Sequence, residues 1–407
     1  MEQAASKAPK KPSPWGKIIA TTMLLVVVVT LVTQRRALLS SIRNWEDFSD
    51  GSVDAKQLRN LPDVLDYIAL HRDQVSLVAF EVGDEANGIY LNADTLRPVG
   101  STVELQLLLG YNALVASAEL SPDAPVTVAD WERYWLPRTD GGSHEYSMQA
   151  LEARGALLGD SAQRSVRLDD VVQMMARYND DAAADYLLNK LGRARVDTLP
   201  VLLGMPDEEP AWPLSGQFLS WQNTQLSTPA AELTQRYRAL DRGSYASKAW
   251  QLAAAMEDPA RSAAERERLK DDGLTLRLSE QAALARVTSP RGRARAYAQL
   301  MAKIANDEVA GSVQARAALA WPLQNPELKE QFESVGTKPG SLPGLLTSAY
   351  YARPKGQNKL RVLALFLDEL PIAVWLQLMQ KFLHQRFELR VLSDDAFFEQ
   401  VKQRLAH

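Results

Sequence analysis

The sequence predicts an α+β fold: an antiparallel sheet flanked by helices, with a helical lobe beside it, preceded by one transmembrane helix. Three observations lead there. Apolar, β-branched runs bounded by turn residues fall near residues 75–92 and again between 335 and 367. The long stretch between them carries helical periodicity and no comparable strand pattern. Strands at both ends of the body are expected to share one sheet, and the middle to form the lobe. A single apolar run, Ile18–Val32, has no charge between Lys17 and Arg35, and about 18 residues just span a bilayer core.

Composition narrows the function. The chain has 407 residues, 46% of them hydrophobic and 24% charged, which excludes a disordered chain and a polytopic membrane protein. Its formal charge of −4 gives no basic excess for nucleic acid, and none is expected as a partner. Cysteine is absent, so disulfides, thiolate metal sites and cysteine nucleophiles are excluded. The four histidines, His71, His144, His384 and His407, form no close-spaced ligand pair. No cofactor is expected.

The elements follow in order. Residues 1–15 form a basic tail with Lys7, Lys10 and Lys11 among prolines, expected in the cytoplasm. Residues 16–34 form the anchor. The chain leaves it through Thr33-Gln-Arg-Arg36 with no small-residue cleavage signal, so it is read as retained. This orientation places the body in the periplasm or outside the cell. Residues 35–72 are a linker and lead-in, with one amphipathic helix over Val53–Arg72. Residues 73–390 form the main domain. Strands are expected at Val75–Val82 and Gly88–Asn92, then a buried helix from Ser101 to about Ser117. Helices follow at about Leu168–Arg177 and Asp181–Leu191, the second ending at Gly192. Residues 204–229 read as loop, and a charged helical insert covers about 230–285. Val335–Gly344 leads into a hairpin with strands at Thr347–Tyr351 and Lys359–Leu367. One helix is expected over Pro371–Arg386, and a C-terminal helix within 391–407. No internal repeat is present.

Three segments carry the chemistry. They are Gly100-Ser101-Thr-Val-Glu104 at the head of the buried helix, Asn179-Asp180-Asp181 between two helices, and Lys338-Pro339-Gly340-Ser341 near the last strands. Each also has a local structural reading. Ser101-x-x-Glu104 fits a capping box, in which serine caps the helix and the glutamate reaches back. Asn179 and Asp180 suit a helix N-cap. Lys338-Pro339-Gly340 suits a type II turn. Trp131, Trp135, Trp212 and Trp221 either line a groove for sugars or peptides, or fill the core.

Together, in this order and with their flanks, the segments resemble the penicillin-recognising serine hydrolases, in particular the class A β-lactamase branch. That family carries Ser-x-x-Lys at the start of a buried helix, Ser-Asp-Asn between helices and Lys-Thr-Gly on a late strand. The resemblance runs from about Val75 to Arg386, with a poor match over 204–285. It implies a β-lactamase-like fold and acyl transfer through Ser101 on β-lactams or peptidoglycan-type D-Ala peptides. Asn179 and Asp181 fall in the Ser-Asp-Asn triplet, where they would complete the catalytic set. Lys338, Gly340 and Ser341 would hold the substrate.

The departures are chemical. Position 104 is Glu where the family has its lysine base, and no Ser-x-x-Lys occurs in the chain. Asn179 stands where a serine would shuttle a proton, and an amide cannot do so. Pro339 stands for threonine. A serine hydroxyl is a poor nucleophile without a base. Glu104 is one candidate, if burial raises its pKa; Lys338 is the other. Glu208 and Glu209 lie in the region of the family's deacylating glutamate, without its usual context. A Ser-His-Asp set would have to draw on His71 or His144. The resulting expectation is a degenerate or catalytically impaired hydrolase. The alternative is a non-catalytic cell-envelope binding or scaffold protein on the same fold, using the Lys338 region for carboxylates or glycan peptides and the charged insert at about 230–285 as a surface for an envelope protein partner.

Overall fold

The computed structural model describes residues 44–160, 163–221 and 228–406. The expected basic tail and anchor lie outside the described residues. Among the described residues, no helix is long and apolar enough to cross a membrane.

The strands in chain order are β1 (Val75–Glu81), β2 (Ile89–Leu91), β3 (Arg97–Pro98), β4 (Pro125–Thr127), β5 (Ser165–Arg167), β6 (Arg291–Gly292), β7 (Phe332–Leu342), β8 (Leu345–Pro354) and β9 (Arg361–Leu367). Five of them make one antiparallel sheet in the order β2-β1-β9-β8-β7. β1 therefore pairs with β9 across almost the whole chain, as the strand pattern at both ends of the body predicts. β3 with β6, and β4 with β5, form two short ribbons.

Side-chain alternation divides the core in two. Val78, Phe80, Ala349, Tyr351, Val362, Ala364 and Phe366 face the helical lobe. Leu77, Ala79, Tyr350, Ala352, Leu363, Leu365 and Leu367 face the terminal helices. β1, β8 and β9 are buried on both faces, which explains their near-continuous apolar sequences. The Glu104–Ala116 helix runs through the lobe with nearly every residue buried, as its all-round apolar pattern requires.

Several expectations are corrected. The lead-in is two helices, Ser52–Gln57 and Leu61–Leu70, because Asn60 caps the second. The Asp63 amide donates to Asn60 Oδ1 at 3.0 Å and the Asn60 amide to Asp63 Oδ2 at 3.0 Å, a reciprocal box with Pro62 in the first turn. The helix expected over Pro371–Arg386 is broken at Phe382, which adopts a left-handed φ of 52°. Ile372–Gln380 and Leu383–Ser393 result. The 204–229 region contains a buried helix, Leu214–Trp221. The insert holds four helices from Ala230 to Thr288, and the short strand β6 follows it. Lys338-Pro339-Gly340 is not a turn. It lies within β7, paired with Ala349, Ser348 and Thr347, and the hairpin turns later at Pro343-Gly344.

Trp131, Trp212 and Trp221 are core residues, and Trp135 packs at its margin. The Trp212 and Trp221 indole nitrogens donate to the backbone oxygen and hydroxyl of Thr288, both at 3.0 Å. Core rather than groove is therefore the correct reading of these tryptophans.

Candidate active site

Ser101 sits in one 3-10 turn, Gly100–Val103, that leads directly into the Glu104–Ala116 helix. Gly100 has φ +48°, a conformation glycine tolerates. The turn is pinned to the sheet. Thr347 Oγ1 donates to the Val99 carbonyl at 2.7 Å and lies 2.8 Å from Thr102 Oγ1. Gly340 passes so close that a Cβ there would meet the Thr102 and Ser101 amides at 2.8 and 2.9 Å. Ser101 is thus buried to 7% exposure at the edge of a cavity of about 380 Å³.

The capping-box reading fails. The residue before the long helix is Val103, and no side chain caps it. Glu104 turns inward instead, and its Oε2 lies 2.9 Å from Lys338 Nζ. Both side chains are 1% exposed. Ser101 and Glu104 are three residues apart on this turn, where such side chains eclipse. Burial pushes the Glu104 carboxyl above its ordinary pKa, while the Lys338 ammonium and the Ser101 hydroxyl pull it down.

Asn179 closes the Leu168–Tyr178 helix in a left-handed conformation with φ 55°. Its side-chain oxygen accepts a hydrogen bond from Lys338 Nζ. Asp180 is the N-cap of the next helix, accepting from the Ala183 amide at 3.0 Å. The N-cap expectation therefore holds for Asp180 and not for Asn179. The other Asp180 oxygen lies 3.0 Å from His144 Nδ1. Burial alone would lower the His144 pKa, but the Asp180 and Glu132 carboxylates outweigh it and push the imidazole up to about 10. His144 Nε2 faces Glu132 at 3.7 Å, so both ring nitrogens face carboxylates. Trp131 and Trp135 pack on the ring at centroid distances of 5.0 and 4.8 Å. His144 thus anchors a loop rather than serving as a base in a Ser-His-Asp set.

The cavity is lined by Ser101, Asn179, Asp181 and Ser341 among the residues singled out in the sequence. Lys338 does not line it; the ammonium is held beneath, against Glu104 and Asn179. Gly340 serves by close backbone approach to Ser101. The Ser341 hydroxyl accepts from Trp375 Nε1 at 3.1 Å. Asp181 opens the helix after Asp180, and its carboxyl is raised well above the ordinary range by burial and by Asp140, Glu104, Asp185 and Asp180. Glu208 and Glu209 are structural. Glu208 pairs with Arg293 at 3.0 Å, and Glu209 holds Arg242 and Arg291, each at 2.8 Å.

Sequence reasoning missed Asp140, Asp185 and Trp375. Asp185 is buried, accepts from the Leu214 and Ser215 amides at 2.7 Å each, and is pushed up to about 7 by burial. It lies in the Ala-Ala-Ala-Asp185 run after Asp181, a flank of the family resemblance, which marks its position in the sequence but not its role.

With this geometry in hand, the family assignment is direct. A sequence profile described as the β-lactamase enzyme family matches residues 55–357. The chain belongs to that family. Its fold is similar to those of a β-lactamase from Sphaerobacter thermophilus (15% identity, TM-score 0.47, covering 81% of this chain and 96% of that one) and one from Chitinophaga pinensis (13%, 0.47, 81% and 99%). An acyl-enzyme complex of PBP-A with penicillin G is also similar (12%, 0.44, 81% and 98%). A search of curated proteins found no match. As a β-lactamase-family chain, its reaction type, where it reacts, is that of a serine hydrolase.

Proposed function

We propose that this β-lactamase-family protein is a serine hydrolase homologue impaired in the family's acyl transfer, on β-lactams or D-Ala-type peptides, at Ser101. One observation carries the reading: Lys338 is withdrawn from the cavity and paired with Glu104, with both side chains 1% exposed. The pair removes two functions at once. Acyl transfer needs the Ser101 proton to pass to a base as the oxygen attacks the acyl carbon. The residue in the base position is a carboxyl engaged by an ammonium. A β-lactam or D-Ala peptide also presents a carboxylate, and the cation of the late strand is already neutralised. Asn179 holds that same ammonium and has no hydroxyl to relay a proton.

The apolar run Ile18–Val32, the lysines before it and the absence of a cleavage signal support a retained anchor with the body outside the cytoplasm.

The test is covalent labelling of the full-length chain with a labelled penicillin, read by intact mass and peptide mapping, with Ser101→Ala as control. The expected result is no adduct, or one forming far below stoichiometry. Rapid, stoichiometric acylation of Ser101 would overturn the reading. A non-catalytic binding role is favoured by one further fact: the cavity stays open beside Ser101, about 380 Å³ in volume, although the acylation machinery around it is altered.

A further inference from the structure

Among the described residues, Asp140 and Asp181 line the Ser101 cavity, Glu104, Asp180 and Asp185 also act electrostatically on Asp181, and all but Asp181 have partners. Glu104 pairs with Lys338. Asp180 takes the Ala183 amide and His144. Asp185 takes two backbone amides. Asp140 accepts the Gly142 amide at 3.0 Å on one oxygen and the His144 amide at 2.9 Å on the other. Asp181 lines the cavity, and among the described residues it has neither a hydrogen bond nor an ion pair. Among the described residues that line the cavity, the one cationic side chain is Arg138, exposed to solvent and therefore well screened. Phe218, Trp375 and Met379 supply apolar wall.

We propose that the cavity binds an amine-bearing ligand, such as a peptide with an ammonium side chain, with Asp181 as the counter-ion. This rests on the preceding reading, because it follows from the burial of Lys338. With the lysine neutralised, the described lining offers an incoming carboxylate one exposed arginine, and offers an ammonium the carboxyls of Asp140 and Asp181. Burial, and after it the neighbouring Asp140, Glu104, Asp185 and Asp180, work against ionisation of Asp181, and an ammonium beside it favours the charged form. The apolar walls lower the local dielectric and strengthen the contact. The volume suits a dipeptide-sized group rather than a single ion.

The test is calorimetric titration of the full-length chain with three capped dipeptides: acetyl-lysyl-alaninamide, its Nε-acetylated form and acetyl-glutamyl-alaninamide. The lysyl peptide is expected to bind at least tenfold more tightly than either of the others. Asp181→Asn is expected to abolish that preference and Asp181→Glu to keep it, with folding of both variants checked by circular dichroism. Equal or tighter binding of the acetylated or glutamyl peptide overturns the proposal. So does a folded Asn variant that keeps the preference, or no binding of any peptide at millimolar concentration. If the Asn variant does not fold, the wild-type ranking of the three peptides decides. Failure here is separable from failure of the functional reading. A penicillin adduct on Ser101 with the ammonium preference intact overturns only the impairment, and an unlabelled Ser101 without the preference overturns only the ligand class.

Discussion

Lys338 Nζ lies 2.9 Å from Glu104 Oε2, and neither side chain is more than 1% exposed. The two come from different layers, a sheet strand and the first turn of a lobe helix, so the contact ties the layers together beneath Ser101. Removing one partner strands the other as a buried charge. Glu104→Ala is expected to destabilise the protein by about 3–5 kcal/mol in denaturant unfolding. Replacing both, Glu104→Leu with Lys338→Met, is expected to recover most of that loss. A double variant as unstable as the single one would show that the pair is not the source of the effect.

Glu388 predicts a loss of stability in alkali. It is buried behind the sheet, accepts from Ser348 Oγ at 2.5 Å, and burial pushes its carboxyl up to about 8. A carboxyl raised on folding contributes stability that is complete below the ordinary carboxylate range and lost as pH rises through about 8. Glu388→Gln removes this dependence. The variant is expected to be the more stable of the two at pH 9, by on the order of a few kcal/mol, with little difference at pH 4. Thermal unfolding at both pH values measures it.

His144 titrates with the same sign for a different reason. Against burial, Asp180 and Glu132 hold it protonated up to about pH 10, so its contribution is complete below about pH 6.5 and lost through pH 10. Its imidazole signals in nuclear magnetic resonance are expected to remain those of the cation at pH 8. A midpoint near 6.5 would contradict the ion pair. His144→Gln should cost about 3 kcal/mol at neutral pH, as expected for a broken buried pair.

Gly340→Ala tests how the Ser101 turn is seated. The added carbon would lie 2.6 Å from Thr347 Oγ1 and within 3 Å of the Ser101 and Thr102 amides. Two of those neighbours are backbone, so relief requires the turn to lift off β7. A cost of about 1–3 kcal/mol is expected, read as a lowered thermal midpoint. An unchanged midpoint would mean that the turn moves freely.

Legibility of the sequence follows the range of the interactions. The Asp181–Leu191 helix was readable at both ends because its signals are local: Asp180 caps it and Gly192 terminates it at φ 79°. β1 and β9 were readable because burial on both faces writes a continuous apolar run. Pro339-Gly340 misled because its turn signal is local, whereas its strand partners Ser348 and Thr347 are supplied by the hairpin. Ser101-x-x-Glu104 misled similarly: its spacing fits a cap, but burial draws Glu104 to a lysine far along the chain. At the site, the resemblance groups Ser101, Glu104, Asn179, Asp181, Lys338, Gly340 and Ser341, and of these Ser101, Asn179, Asp181 and Ser341 line one cavity. The sequence could not show that Lys338 turns away, or that His144 meets Asp180, since neither contact leaves a pattern in neighbouring residues.

Pro339 has a consequence beyond the cavity. β7 is an outer strand of the sheet, and its register with β8 continues through Pro339. The missing amide hydrogen therefore falls on the free side of the strand. An unpaired outer strand is a template on which a second chain can add its own. Pro339 interrupts that template in mid-strand, so the residue that departs from the family's Lys-Thr-Gly also guards the sheet against edge-to-edge association between copies.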